Sequence, residues 1–235
     1  MNNEILIPRA TAKGRQQDTN CNIGIYGDHG GGKTAWVEEI LLAQKKRLII
    51  FDTLCKDYGN AEFCKATDVQ YDAVVSDAME FKTKLIKLLG ADGKGGFRLV
   101  CRCSQDEQLD IMNTLFRYNN VKKRSTLTDT TFAVEEVTFY QSSNYLEPIL
   151  RDHCQYGRHN RNNMIGIARI PKETNPLFRS QLDYVISFVQ TEKRAIDFFA
   201  EYNPEIAERL KTLERGEFEI IKGKEEELAR FITAP

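Results

Sequence analysis

Gly27-Asp28-His29-Gly30-Gly31-Gly32-Lys33-Thr34 is the stretch that decides how this chain is read. It fits G-x-x-x-x-G-K-[ST], the spacing of a phosphate-binding loop. Glycines let the backbone wrap closely enough to aim several N–H groups at phosphate oxygens. Lys33 then reaches the β- and γ-phosphates of a nucleoside triphosphate, and the Thr34 hydroxyl binds Mg²⁺. Ala35 joins this binding set at the start of the next helix, whose positive N-terminal end adds to the attraction.

The flanks agree. Residues 21–26 read as a short buried strand entering the loop, and 34–46 as a helix with Trp36, Ile40 and Leu41 available for packing. Strand, glycine loop and helix is the order the motif requires. The His-Gly-Gly-Gly string at 29–32 also looks like a lipase oxyanion loop, but that reading needs a G-x-S-x-G elbow, which the chain lacks.

With 235 residues and a hydrophobic fraction of 41%, the chain is long and apolar enough for a globular core. A net charge of −1 gives no global basic field, so contact with nucleic acid must come from local patches or a ring of subunits. The six cysteines, Cys21, Cys55, Cys64, Cys101, Cys103 and Cys154, do not follow zinc spacing and read as small apolar residues of a reducing compartment. The polar residues 1–20 carry no signal-peptide core and read as an N-terminal arm. No apolar run approaches the ~20 residues of a membrane span. A soluble, intracellular protein is expected.

Along the chain, strands are expected at 47–52, 71–76, 97–103, 131–137, 164–168, 184–189 and 217–221. Helices are expected at 77–89, from Ser104 with Glu107 in a capping box, at 144–156, 192–202, 203–214 and after Lys224; the stretch 171–181 reads mostly as loop. Alternating strands and helices imply a mostly parallel sheet covered on both faces, within a single domain over 21–235.

Phe132-Ala133-Val134-Glu135-Glu136 supplies the partner of the glycine loop: an apolar strand delivering acids at its end. Glu135 is assigned to the metal, partly through water, and Glu136 to the attacking water. Asp52, ending another strand, lines the nucleotide site, assists the metal or caps the next turn. In a ring ATPase a cation must cross the subunit boundary to the transition-state phosphate. Arg158 and Arg161 are the first candidates and Arg179 the third, against an alternative of weak surface ion pairs. Arg169, at a strand end, is placed to sense the γ-phosphate.

The order of these features resembles the FtsK–HerA superfamily of ring ATPases. The matching parts are the loop Gly27 to Thr34, Asp52 with Tyr58-Gly59, Glu135-Glu136, Gly157-Arg158-His159 followed by 164–169, the run 178–186, and Leu213-Glu214-Arg215-Gly216-Glu217-Phe218. Arg169 stands where many members place Gln. The resemblance implies an α/β P-loop NTPase fold, RecA/FtsK–HerA-like, in a three-layer sandwich. The chain has no room for the additional domains of HerA helicases or FtsK. Within the superfamily it most resembles the genome-packaging ATPases of membrane-containing icosahedral viruses. That implies ATP and Mg²⁺ as cofactors, a hexameric or pentameric ring, double-stranded DNA and capsid vertex proteins as partners, and a place in host cytoplasm or at the packaging vertex. Lys122, Lys123 and Arg124 would meet DNA phosphates in the ring channel, or form a solvated basic turn. The alternatives are a motor for phage assembly or conjugation, and a nucleotide-dependent switch without translocation.

Overall fold

The computed structural model describes residues 21–43, 45–54, 71–90, 95–116 and 127–233. The arm 1–20, Tyr58-Gly59 and the basic residues Lys122, Lys123 and Arg124 lie outside the described residues. Ten strands occur in chain order among those described: β1 (Asn22–Tyr26), β2 (Arg47–Phe51), β3 (Ala73–Val75), β4 (Phe97–Cys101), β5 (Thr131–Val134), β6 (Gln141–Ser142), β7 (Tyr145–Leu146), β8 (Asn163–Ala168), β9 (Tyr184–Ser187) and β10 (Glu219–Lys222). β6 and β7 form a separate small hairpin, and the other eight form one sheet in the order β10-β9-β1-β8-β5-β2-β4-β3. Every pair in that sheet is parallel except β10 with β9. β8 therefore lies between β1, which feeds the glycine loop, and β5, which feeds the acids.

The central strands are mostly apolar and buried because both faces are covered. Alternation splits them between two cores. Ile49, Phe51, Phe132 and Val134 face one core with Phe81, Ile111, Leu150 and Phe199. Leu48, Ile50, Ala133, Ile23 and Ile25 face the other with Trp36, Val37, Leu228 and Phe231. The first core is roofed by α2 (Ala78–Leu89), α3 (Gln105–Leu115), α4 (Pro148–Tyr156), α5 (Pro176–Ser180), α6 (Lys193–Ala200) and α7 (Pro204–Leu210). The second is covered by α1 (Lys33–Trp36) with the turn that continues it, and by α8 (Glu225–Thr233). This is the expected three-layer α/β sandwich. No helix among the described residues is long and apolar enough to cross a membrane.

Local signals hold where they are self-contained. The Ser104–Glu107 capping box is present at the start of α3, and Asp77 caps α2 by accepting from the Glu80 N–H. Four expectations are corrected. The helix expected over 34–46 is α-helical only to Trp36 and continues as a π-helical turn, Val37–Leu41, closed by a Leu42 N–H bond to the Val37 carbonyl at 2.9 Å. In this register Val37, Leu41, Leu42 and Glu38 are all buried, and Glu38 accepts from the Tyr71 hydroxyl at 2.7 Å. The strand expected over 131–137 ends at Val134, because Glu136 turns into the left-handed region with φ 50°. The helix expected from 144 starts at Pro148, since Tyr145 and Leu146 are paired in the hairpin and proline suits the first helical position. The helix expected to run to 214 stops at Leu210.

Candidate nucleotide site

All the parallel strands deliver their carboxyl ends to one edge of the sheet, and the chemistry gathers there. The loop after β1 has left-handed glycines at Gly30 (φ 78°) and Gly32 (φ 99°). A side chain at Gly32 would also meet the Gly216 backbone nitrogen at 3.0 Å. His29, Gly30 and Ala35 are exposed, while Gly32, Lys33 and Thr34 are half-buried. Lys33 Nζ arches over its own loop and donates to the carbonyls of Gly27 at 2.7 Å and Asp28 at 2.9 Å. Burial pulls the Lys33 pKa below the usual lysine value, and the Glu135 and then the Glu136 carboxylates oppose that shift. Both glutamates thus act on the ammonium across the site.

Glu135 continues the alternation of β5 onto the face that holds α1. Its N–H bonds the Phe51 carbonyl at 3.0 Å and its carbonyl accepts from Thr53 Oγ1 at 2.6 Å, which fastens its backbone to the end of β2. Its side chain is buried. Glu136 follows in the left-handed conformation, and its Oε1 accepts from Thr138 Oγ1 at 2.6 Å. The structure therefore brings Lys33, Thr34, Glu135 and Glu136 to one edge.

Asp28 is used differently from its loop neighbours. Its Oδ2 accepts from the N–H of Thr191 at 2.7 Å and from its hydroxyl at 2.5 Å. Its Oδ1 lies 3.6 Å from Arg169 Nε. Arg169 also reaches Glu192 at 3.6 Å, and its carbonyl accepts from the Gly27 N–H at 3.3 Å. Arg169 therefore sits beside the loop, tied to acids. Asp52 is fully buried and ion-paired with Arg102 at 2.8 Å. Arg179 donates to the carbonyls of Pro171 (2.9 Å) and Thr174, with Phe198 beneath its guanidinium at 5.2 Å, so it braces the segment after β8.

Arg158 and Arg161 lie at the opposite edge. Arg158 pairs with Asp183, whose other oxygen accepts from the N–H of Asn22 at the start of β1. Arg161 grips Asp129, just before β5, with Nη2 2.6 Å from Oδ2. Strands of five residues separate these arginines from the glycine loop of the same chain, about 15 Å.

Three contributors carry no local signal. Thr191 and Phe188 come from the loop after β9, and Gly216 donates its N–H to the Gly31 carbonyl at 3.0 Å. Trp36 of α1 packs against Phe218 and Phe188, with ring centroids at 4.9 and 5.9 Å, so the Leu213–Phe218 run is locked against the glycine loop. The matching of that run to ring ATPases was its only sequence signal. Asp52 and Arg102 become neighbours through the β2–β4 register, Phe51 opposite Cys101. The four described cysteines, Cys21, Cys101, Cys103 and Cys154, are buried free thiols.

No protein-family model and no curated protein matches the chain. Solved structures do. The genome packaging NTPase B204 from Sulfolobus turreted icosahedral virus 2, in complex with ATP-gammaS, is 17% identical, with 87% of this chain and 92% of that one covered at a TM-score of 0.60. The same NTPase in complex with sulfate is 16% identical over 86% and 90% of the two chains, at a TM-score of 0.61. The B204 DNA-packaging ATPase from Sulfolobus turreted icosahedral virus is 16% identical over 87% and 98%, at a TM-score of 0.56. At such identities the likeness shows the fold: this chain has the α/β P-loop NTPase architecture it shares with B204.

Proposed function

We propose that this protein hydrolyses ATP to move double-stranded DNA, as a packaging motor whose ATPase domain spans 21–235 behind the 1–20 arm. The observation that carries the reading is that Lys33, on the glycine loop after β1, and two adjacent glutamates after β5 come to the same edge of the sheet. A loop alone would only grip phosphates. The acids add a group that can take a proton from water. The shared fold with a viral genome packaging NTPase supports the cargo.

In the reaction, loop N–H groups and Lys33 hold the triphosphate, the phosphates competing with the Gly27 and Asp28 carbonyls for the ammonium. Glu136 takes a proton from water as the water oxygen bonds the γ-phosphorus. The bond from that phosphorus to the β–γ bridging oxygen breaks, and ADP leaves with the electron pair. The donors suit Mg²⁺: a half-buried hydroxyl and a buried carboxylate on the same edge. Thr34 and, through water, Glu135 would hold the ion, which when bound spreads the charge on the phosphates.

Arg158 and Arg161 are too far from their own loop to serve it, and in a ring they would act at the neighbouring subunit's site. Arg169 is proposed to respond to the γ-phosphate through Asp28. Lys122, Lys123 and Arg124 are proposed to touch DNA phosphates, and capsid vertex proteins to dock the ring. The test is ATPase rate with and without double-stranded DNA, alongside mass by light scattering. A ring stimulated by duplex is expected, with Lys33→Ala or Glu136→Gln lowering turnover by about 10³-fold. A monomer indifferent to duplex would remove the motor reading and leave the switch.

A further inference from the structure

Glu136 combines two features. Its backbone is left-handed, φ 50° and ψ 58°, a conformation rare for residues that carry a side chain. Its carboxylate takes a hydrogen bond from the Thr138 hydroxyl at 2.6 Å. Thr138 rides on a short 3-10 turn, Val137–Tyr140, which is fastened on three sides. The Phe139 N–H bonds the Glu136 carbonyl at 3.0 Å, and the Phe139 carbonyl accepts from Gln105 Nε2 at 2.7 Å. The Tyr140 hydroxyl donates to Gln108 Oε1 at 2.8 Å. Gln105 and Gln108 belong to the well-capped α3, so the Thr138 hydroxyl stands on a rigid perch. Held in this pose, the Glu136 carboxylate still acts on the Lys33 charge. It stands at the sheet edge that also holds the phosphate loop, with β8 between their two strands.

We propose that Thr138 is a positioning residue that aims the Glu136 carboxylate at the attacking water. The inference rests on Glu136 being the general base. A left-handed residue has few ways to place its side chain, and a free glutamate carboxylate would rotate about its terminal torsion. The hydroxyl removes that freedom at the oxygen nearest the turn and leaves the other oxygen for the water's proton. It acts through the carboxylate it bonds. It therefore contributes to turnover and not to nucleotide affinity.

The test uses the full chain and compares Thr138→Val, Thr138→Ala, Thr138→Ser and Glu136→Gln by steady-state ATPase kinetics and by binding of a fluorescent ATP analogue. Thr138→Val should lower kcat about ten-fold, the scale of a lost hydrogen bond to a charged group, with KM and analogue affinity within about two-fold. Thr138→Ser should restore most of the rate, because it keeps the hydroxyl. Should the valine variant not fold, Thr138→Ala against Thr138→Ser carries the same comparison. Glu136→Gln separates the two layers: wild-type hydrolysis there would sink the base assignment itself. If Glu136→Gln is inactive while Thr138→Val turns over at the wild-type rate, only the positioning role falls. A faster Thr138→Val enzyme, or one altered in KM alone, overturns it as well.

Discussion

Each edge of the central sheet holds left-handed residues that are not glycine, and the two edges use them in opposite ways. At the amino-terminal edge, Asp129 (φ 54°) and Arg161 (φ 55°) close on each other through two ion-paired contacts. The Asp129 N–H bonds the Asn160 carbonyl at 3.0 Å, and the Asn162 side chain bridges the Leu127 carbonyl and the Thr130 N–H. The Arg161 hydrogen bond holds the Asp129 carboxyl below the usual carboxylate range. At the carboxyl-terminal edge, the Glu136 carboxylate acts to raise the Lys33 pKa, with one hydroxyl steadying it. Strain answered by a local partner serves the fold. Strain that points charge at a common space serves a ligand.

The largest way to break that contrast is to remove both arginines of the quiet edge. Replacing Arg158 and Arg161 by alanine should cost the assembled ring about 10³-fold in turnover, the scale of a lost transition-state arginine. Folding stability should fall by no more than about 1 kcal/mol, because both ion pairs are solvent-exposed. Turnover at the wild-type level, with only that stability loss, would confine the amino-terminal edge to structure.

A second test sets the core against the edge under acid. His153 is buried between Phe116 and Phe132, with ring centroids at 4.8 and 5.5 Å, and burial pushes its pKa down to about 3. The folded value lies below the unfolded value of about 6.5, so between those limits the unfolded chain binds the additional proton. Stability from this residue is present above pH ~6.5 and lost as pH falls toward 3. Denaturant melts at pH 7 and pH 4.5 should differ less in His153→Leu than in wild type, by on the order of 2 kcal/mol. If the slope survives the substitution, a group other than His153 sets acid stability in that window, since the lowered Asp129 carboxyl is still ionised at pH 4.5.

The smallest expected change in stability is at Glu136 itself. Glycine there relieves the left-handed backbone, so Glu136→Gly should raise unfolding stability by about 0.5–1 kcal/mol while abolishing hydrolysis. A destabilised variant would mean that the carboxylate also serves the fold, and the contrast between the edges would blur.

The glycine loop was legible in the sequence because its demands are local: positive φ, close backbone approach and one lysine at fixed spacing. The Ser104–Glu107 cap was legible for the same reason, as four consecutive residues complete it. What escaped depends on distance along the chain. Asp28 reads as one more loop residue, yet its carboxylate is committed to Thr191, 163 positions away. Gly216 meets Gly31 only once β10 has turned antiparallel onto β9. Asp52 left three readings open, and the β2–β4 register supplied Arg102. The π-helical turn after Trp36 escaped because its apolar spacing also suits an ordinary helix.

The strand order also works as a gauge. β1 and β5 each stand one hydrogen-bonding step from β8, so their ends are about 9.6 Å apart, twice the inter-strand repeat. One repeat alone, about 4.8 Å, would press the lysine loop onto the carboxylates and leave no berth for a phosphoryl group with a water in line behind it. Two repeats admit both. The width of this jaw is cut by backbone spacing and not by any side chain. No point substitution can reset it. Residues along its lips can drift widely in identity while the bite of the jaw stays the same.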